Sequence, residues 1–135
     1  MTARAEIENL LNRYSLAYDK PDMAVMAATF TDEAVMSLRI AGGDLIGPFD
    51  GKEAIMKLMT DSLASQNDQR RHLVTNLVID AETDDTATVT SYLTLISVAD
   101  GKANLLSTAV YEDEVRKDGD EWRFTKRHIE LDLPY

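Results

Sequence analysis

The chain has 135 residues, 44% of them apolar and 28% charged, and a formal net charge of −10 from 24 acids against 14 bases. That size suits one domain, residues 1–135, with a core that buries roughly two-thirds of the unfolded surface. The acidic balance argues against nucleic-acid partners, which need a basic footprint, and against anionic membrane surfaces.

Apolar residues at Ile7, Leu10, Leu11, Tyr14, Ala17 and Tyr18 follow helical spacing and predict a first helix over 4–18, with Thr2 as its cap. Pro21 biases Lys20 out of the α region, so this helix ends near Asp19. A short second helix is expected from Asp22 to Phe30 and a strand from Glu33 to Ile40. Ala41-Gly-Gly-Asp44 marks a turn and Gly47-Pro48 a second break. A third helix is expected from Gly51 to Ala64, followed by a polar connection over Ser65–Arg71.

The rest is rich in Val, Ile, Thr, Tyr and Leu and predicts four long strands, Leu73–Ala81, Ala87–Val98, Ala103–Lys117 and Glu121–Leu131. Turn signals at Glu82–Asp85, Asp100-Gly101 and Asp118–Asp120 separate them. The expected class is α+β, with three N-terminal helices packed in a strongly curved mixed, mostly antiparallel sheet, a cone-shaped α+β barrel. The open end of such a cone is a natural small-molecule pocket.

Few residues can do chemistry. Without cysteine there is no disulfide, thiolate nucleophile or Cys-ligated metal. The chain has two histidines, and neither belongs to a metal-binding spacing. The Asp80–Asp85 acidic cluster lacks the form of a calcium loop, and no Gly-rich phosphate cradle or serine-nucleophile motif is present. No cofactor or metal site is therefore expected. Nor is there a run of about 18 apolar residues or, in Met1–Glu6, the apolar core of a secretory leader, which makes the cytoplasm the expected location.

His72 opens its strand, and simple alternation puts it on one face with Val74, Asn76 and Val78. Both faces of this strand are fairly apolar, so both are expected to be covered, and buried His72 and Asn76 each need a partner. Asp19 is a candidate partner for His72. A carboxylate on one ring nitrogen fixes the tautomer and makes the other nitrogen a better base. On the residues alone, a histidine placed like His72 is more often a satisfied structural residue than a catalytic one, and an aspartate placed like Asp19 more often a cap or solvated turn residue. His128, beside Lys126 and Glu130 in the last strand, reads as surface or structural.

Several motifs carry a resemblance. They are Tyr14-x-x-x-Tyr18-Asp19-Lys20, Gly47-Pro-Phe-Asp-Gly51, His72-x-x-x-Asn76, and a closing Tyr-x-Asp-Glu with Asp-Gly-x-x-Trp-x-Phe over Tyr111–Phe124. Over nearly its whole length the chain resembles the SnoaL-like, nuclear transport factor 2-like superfamily, in the branch with scytalone dehydratase, hexachlorocyclohexane dehydrochlorinase and bile-acid 7α-dehydratase. The resemblance implies that Asp19 and His72 form a catalytic dyad and that Tyr14 and Tyr18 stand at positions where relatives use a tyrosine. It departs where scytalone dehydratase has a second pocket histidine, since Thr94–Ala99 contains none, and its Ser and Asn contacts fall near Ala109 and Tyr111. Scytalone itself is therefore not the expected substrate.

The resulting expectation is a cofactor-independent lyase of dehydratase type, or an isomerase or cyclase, acting on a small, largely apolar aromatic or polycyclic compound. His72, Asp19 and Tyr14 would be catalytic. Tyr18, Phe30, Met56, Asn76, Tyr92 and Tyr111 would line the substrate, with Met59 as a further candidate. The alternatives are the non-catalytic small (beta) subunit of an aromatic-ring-hydroxylating dioxygenase and a ligand-binding protein of the same fold. The resemblance also implies a homodimer through the sheet face.

Overall fold

A computed structural model describes residues 2–135; Met1, the first residue of the expected non-leader segment, lies outside the described residues. Helix α1 (Ala3–Asp19) starts where the Thr2 side chain accepts a hydrogen bond from the Ala5 N–H at 3.2 Å, and it buries the expected stripe of Ile7, Leu10, Leu11, Tyr14, Ala17 and Tyr18. Helix α2 (Met23–Ala28) is capped by Asp22, whose side chain accepts from the Val25 N–H at 3.1 Å. It stops two residues before Phe30, its expected end. The Thr29 hydroxyl turns back onto the Met26 carbonyl at 2.7 Å, and the Thr29 carbonyl accepts from the Phe124 N–H at 2.8 Å. Phe30 is thereby drawn into the sheet and opens β1 (Phe30–Ile40).

Gly47-Pro48, expected as a break, lies inside a short strand, β2 (Ile46–Asp50). This strand sits at the sheet edge, where the N–H that proline lacks costs no ladder bond. Gly51, at φ 93°, turns the chain into α3 (Lys52–Ala64), which buries Ile55 and Met59. Four strands follow: β3 (Gln69–Asp80), β4 (Thr86–Ala99), β5 (Lys102–Asp118) and β6 (Glu121–Leu131). β3 begins inside the segment expected to be a polar connection.

The six strands form one sheet in the order β2-β1-β6-β5-β4-β3. β1 runs parallel to β6 and every other pair is antiparallel. Three helices and a mixed, mostly antiparallel sheet match the expected α+β class. The expected barrel is corrected, because β2 and β3 are both edges and the sheet does not close.

Bulges decide which side chains face inward. In β3, Thr75 pairs with Tyr92 and Val78 with Thr90, so Asn76 and Leu77 together oppose Ser91. Asn76 takes a left-handed conformation at φ 58° to allow this. His72 and Val74 face inward before the bulge, Leu77 and Ile79 after it. Leu73 and Val78 point outward and are about half exposed. The expected shared face of His72, Val74, Asn76 and Val78 is thus corrected, and the strand is apolar on both sides because its parity changes midway.

A second bulge in β6 leaves Thr125 without a β5 partner, between the pairs Lys126–Glu114 and Phe124–Val115. It turns Arg127 inward, where the residue is completely buried. Arg127 Nε donates to Asp113 Oδ1 at 2.9 Å and Nη2 to Oδ2 at 3.2 Å. The guanidinium carbon lies 3.7 Å from the Tyr111 ring centre, 4.3 Å from that of Tyr14 and 4.4 Å from that of Phe124. Burial pushes the Asp113 carboxyl up to about 6, against the pull of Arg127. Burial also works to lower the Arg127 guanidinium, but the Asp113 charge and hydrogen bonding together with Tyr111 and Tyr14 outweigh it and raise it.

Removing one partner of such a pair strands a charge in the core, whereas replacing both leaves an apolar fill. Arg127→Met is expected to cost about 3–5 kcal/mol in urea denaturation, and the double variant Arg127→Met with Asp113→Leu to recover most of that loss.

Candidate active site

Helix α1 lies along β3. At its start, Arg4 Nη2 reaches the Leu77 carbonyl at 3.4 Å; at its end, Asp19 reaches His72. The Asp19 carboxylate accepts twice from the same residue: Oδ1 is 2.5 Å from His72 Nδ1, and Oδ2 takes the His72 backbone N–H at 2.8 Å. Both side chains are only 7% exposed. A carboxylate at a helix C-terminus faces the negative end of the dipole, and these two donors offset that cost. Gln69 closes the junction by donating to the Asp19 backbone carbonyl at 2.6 Å.

With Nδ1–H committed to Asp19, the lone pair resides on Nε2, which has no hydrogen-bond partner among the described residues. His72 lines an apolar cavity together with Tyr14, Tyr18, Tyr111, Met36, Leu38, Leu58, Met59, Leu93, Leu95, Ile129 and Leu131. Ser62, Arg70 and Tyr135 add polar groups to the lining. The free space is about 50 Å³, enough for water but not for a ring compound.

Tyr18 packs on His72 with ring centres 4.6 Å apart, and its hydroxyl donates to Gln66 Oε1 at 3.0 Å. Tyr14 is buried edge-on against Phe30, Tyr111 and Phe124, with ring centres 6.0–6.4 Å away. Burial pushes the Tyr14 phenol up to about 12, against the nearby Arg127 charge. Burial also raises Tyr18, against its Gln66 bond and the Arg70 charge, and it raises Tyr111 still further. All three hydroxyls therefore stay protonated, as donors, throughout the neutral range.

Of the residues expected at the site, His72, Tyr14, Tyr18, Tyr111 and Met59 line the cavity, and Asp19 stands behind His72. Four do not line it. Phe30 is fully buried behind Tyr14, and Met56 is half-buried against the core at the edge of a surface hollow shared with Glu53, Lys57 and Thr60. Tyr92 points away on the outer face of β4, where alternation with inward Ser91 and Leu93 puts it. The bulge turns Asn76 out to an exposed position. His128 lies on the outer face with Nδ1 2.7 Å from Ser37 Oγ and Nε2 2.7 Å from Glu130 Oε1, as its surface or structural reading expected.

Arg70, Gln66, Ser62 and Tyr135 were not anticipated. Only Arg70 carried a signal, two residues before His72 and so on its face. Among the described residues no group of three or more His, Cys, Asp or Glu side chains is arranged to hold a metal. No helix among them is long and apolar enough to cross a membrane.

Comparison with known proteins agrees with this architecture. The SnoaL-like domain family matches residues 1–128. The chain is 26% identical over 129 residues to gamma-hexachlorocyclohexane dehydrochlorinase of Sphingobium indicum, an overlap of 95% of this chain and 80% of that one. A protein of unknown function with a cystatin-like fold from Nostoc punctiforme superposes with a TM-score of 0.82 at 29% identity, covering 99% and 97% of the two chains. The beta subunit of a candidate aromatic-ring-hydroxylating dioxygenase from Novosphingobium aromaticivorans gives 0.83 at 18% identity, covering 98% and 91%, a likeness of fold alone.

The shifted tyrosines set the alkaline behaviour. Unfolded tyrosines lose their protons near the ordinary value of 10.0, whereas native Tyr14 keeps its own to about 12. Between those values the unfolded state binds fewer protons, so stability falls as pH rises. Tyrosinate absorbance in the native protein is expected to lag behind that in denaturant, with Tyr14→Phe reducing the lag.

Proposed function

This chain belongs to the SnoaL-like domain family, and we propose that it is a cofactor-independent lyase of dehydratase type, or a related isomerase or cyclase, acting on a small, largely apolar ring compound. The observation that carries the proposal is the buried Asp19–His72 pair, with its unpartnered Nε2 on a residue lining an apolar cavity.

In the elimination form of the reaction, His72 Nε2 removes a proton from a ring carbon. The C–H electron pair becomes a C=C bond, and the bond to a hydroxyl or other leaving group on the neighbouring carbon breaks. Asp19 holds the imidazole in the tautomer that accepts at Nε2 and stabilises the imidazolium that forms. Tyr14, kept protonated, donates to the departing group or to developing oxyanion charge, and Tyr18 does so by exchanging its bond to Gln66 Oε1 for one to that group. Apolar walls favour a ring substrate and keep bulk water from competing.

A non-catalytic small subunit or ligand-binding protein of the same fold is the alternative. The fold likeness to the dioxygenase subunit supports it, but it leaves the paired carboxylate and imidazole without a use. We also propose a homodimer through the outer sheet face, where Leu73, Val78, Tyr92 and Leu105 are each 47–65% exposed.

The relative's named compound, gamma-hexachlorocyclohexane, is the first probe, with chloride release as the readout; hydroxylated ring compounds form the second panel. His72→Ala is expected to lower turnover about 10²–10⁴-fold, with Asp19→Asn showing a loss of similar direction. Retained turnover in His72→Ala would sink the lyase assignment. For the dimer, sedimentation is expected to give twice the chain mass, and Tyr92→Glu with Leu105→Glu to give single chains.

A further inference from the structure

Arg70 is inward on β3, two residues before His72, and lines the same cavity. Its side chain is 10% exposed. Nε donates to Asp68 Oδ2 at 2.7 Å, and that same carboxylate oxygen also accepts from the Ser97 hydroxyl on β4. Burial works to raise the Asp68 carboxyl, but the bonds from Ser97 and Arg70 outweigh it and hold it below its usual range. Asp68 therefore stays charged and fixes the guanidinium.

One edge of that guanidinium is idle. Nη1 is closed off from solvent and has no hydrogen-bond partner among the described residues. The nearby Tyr18 hydroxyl is committed to Gln66, whose Oε1 is thereby occupied. Two other arginines have a buried nitrogen without a hydrogen-bond partner among the described residues, Arg123 at Nε and Arg127 at Nη1, and neither lines the cavity; Arg127 rests on three aromatic faces. Among the described residues Arg70 is thus the one permanent cation in the lining of a largely apolar space, its guanidinium held by Asp68. Leaving a donor of this kind buried and unpaired is costly unless a ligand completes it.

We propose that Arg70 is the anchor for a carboxylate on the substrate, so that the ligand of this cavity is a monoanionic ring acid rather than a neutral ring. The inference rests on the reading of this cavity as the substrate site. The acid group would meet the idle edge of the guanidinium while the apolar ring lies among Leu93, Leu95, Ile129 and Leu131. A charge-assisted bond to a planar, prepaid fork suits a carboxylate better than a carbonyl. The anion also offsets the unfavourable placing of a second positive charge when His72 takes up a proton.

Benzoate and benzamide have the same ring and nearly the same shape and differ in charge. Their binding to the full chain can be titrated by NMR on the Arg70 and His72 side-chain signals. Benzoate is expected to bind at least about tenfold more tightly than benzamide, and Arg70→Gln to bring the ratio near one. Arg70→Lys, which keeps the charge without the fork, is expected to retain part of the preference and stands in where Arg70→Gln fails to fold. Equal affinity for the two ligands, a preference that survives Arg70→Gln, shifts confined to residues outside the cavity, or binding of neither ligand would each overturn the proposal. The assay needs no turnover, so its outcome is read separately from that of the His72→Ala test of lyase activity.

Discussion

Everything at the site depends on one carboxylate that spends both oxygens on one histidine. Asp19 Oδ1 holds the ring and Oδ2 holds the backbone N–H of His72. The first bond sets the tautomer. The second ties the end of α1 to β3 at a fixed height, so the ring can neither swing nor slide relative to the helix. Because α1 also carries Tyr14 and Tyr18, the same clasp sets where both phenols stand against the imidazole. Position and chemical state are thus fixed by a single side chain, the condition that preorganised general-base catalysis requires.

Charge inside this acidic chain is arranged in two buried layers. The deeper layer is the Arg127–Asp113 pair, wrapped by Tyr14, Tyr111 and Phe124. It neutralises itself and lends its cationic edge to aromatic faces, and burial, against that charge, keeps Tyr14 and Tyr111 neutral donors rather than phenolates. The outer layer is Arg70 with Asp68, joined through Ser97 to the neighbouring strand. Between the two layers lies an apolar space that His72 lines. A surface rich in carboxylates keeps anions in general at a distance, while the interior offers one cation to an anion able to enter.

Apart from β2, where Gly47-Pro48 reads as a break, the order and type of the elements were legible in the sequence because long periodic segments and Gly or Pro punctuation carry that information locally. The α1 stripe, the Thr2 cap and the three turns between the last four strands are local signals of this kind. The Asp19–His72 pairing was legible only as a juxtaposition of two scarce residues plus a resemblance. What stayed hidden was strand parity. Asn76 and Thr125 each add one residue to a ladder, and an added residue exchanges inside for outside from that point on. That moved Asn76 out of the expected lining and brought Arg127 into the core. Tyr92 was misplaced for another reason. A large aromatic reads as interior, but on β4 simple alternation leaves it outward. Sheet closure was equally invisible, because it depends on whether β2 and β3 meet, a long-range pairing that no local pattern encodes.

The small cavity has a thermodynamic consequence. With about 50 Å³ free, the cavity as it stands is closed to a ring compound, and occupancy requires a wider form in which lining groups such as half-exposed Tyr135 move aside. The free energy of that widening is subtracted from every ligand's intrinsic affinity. Were the wide form about one molecule in a hundred, apparent dissociation constants would lie roughly a hundredfold above intrinsic ones. Association would then level off with rising ligand concentration at the rate of opening, which no substitution at His72 itself needs to alter.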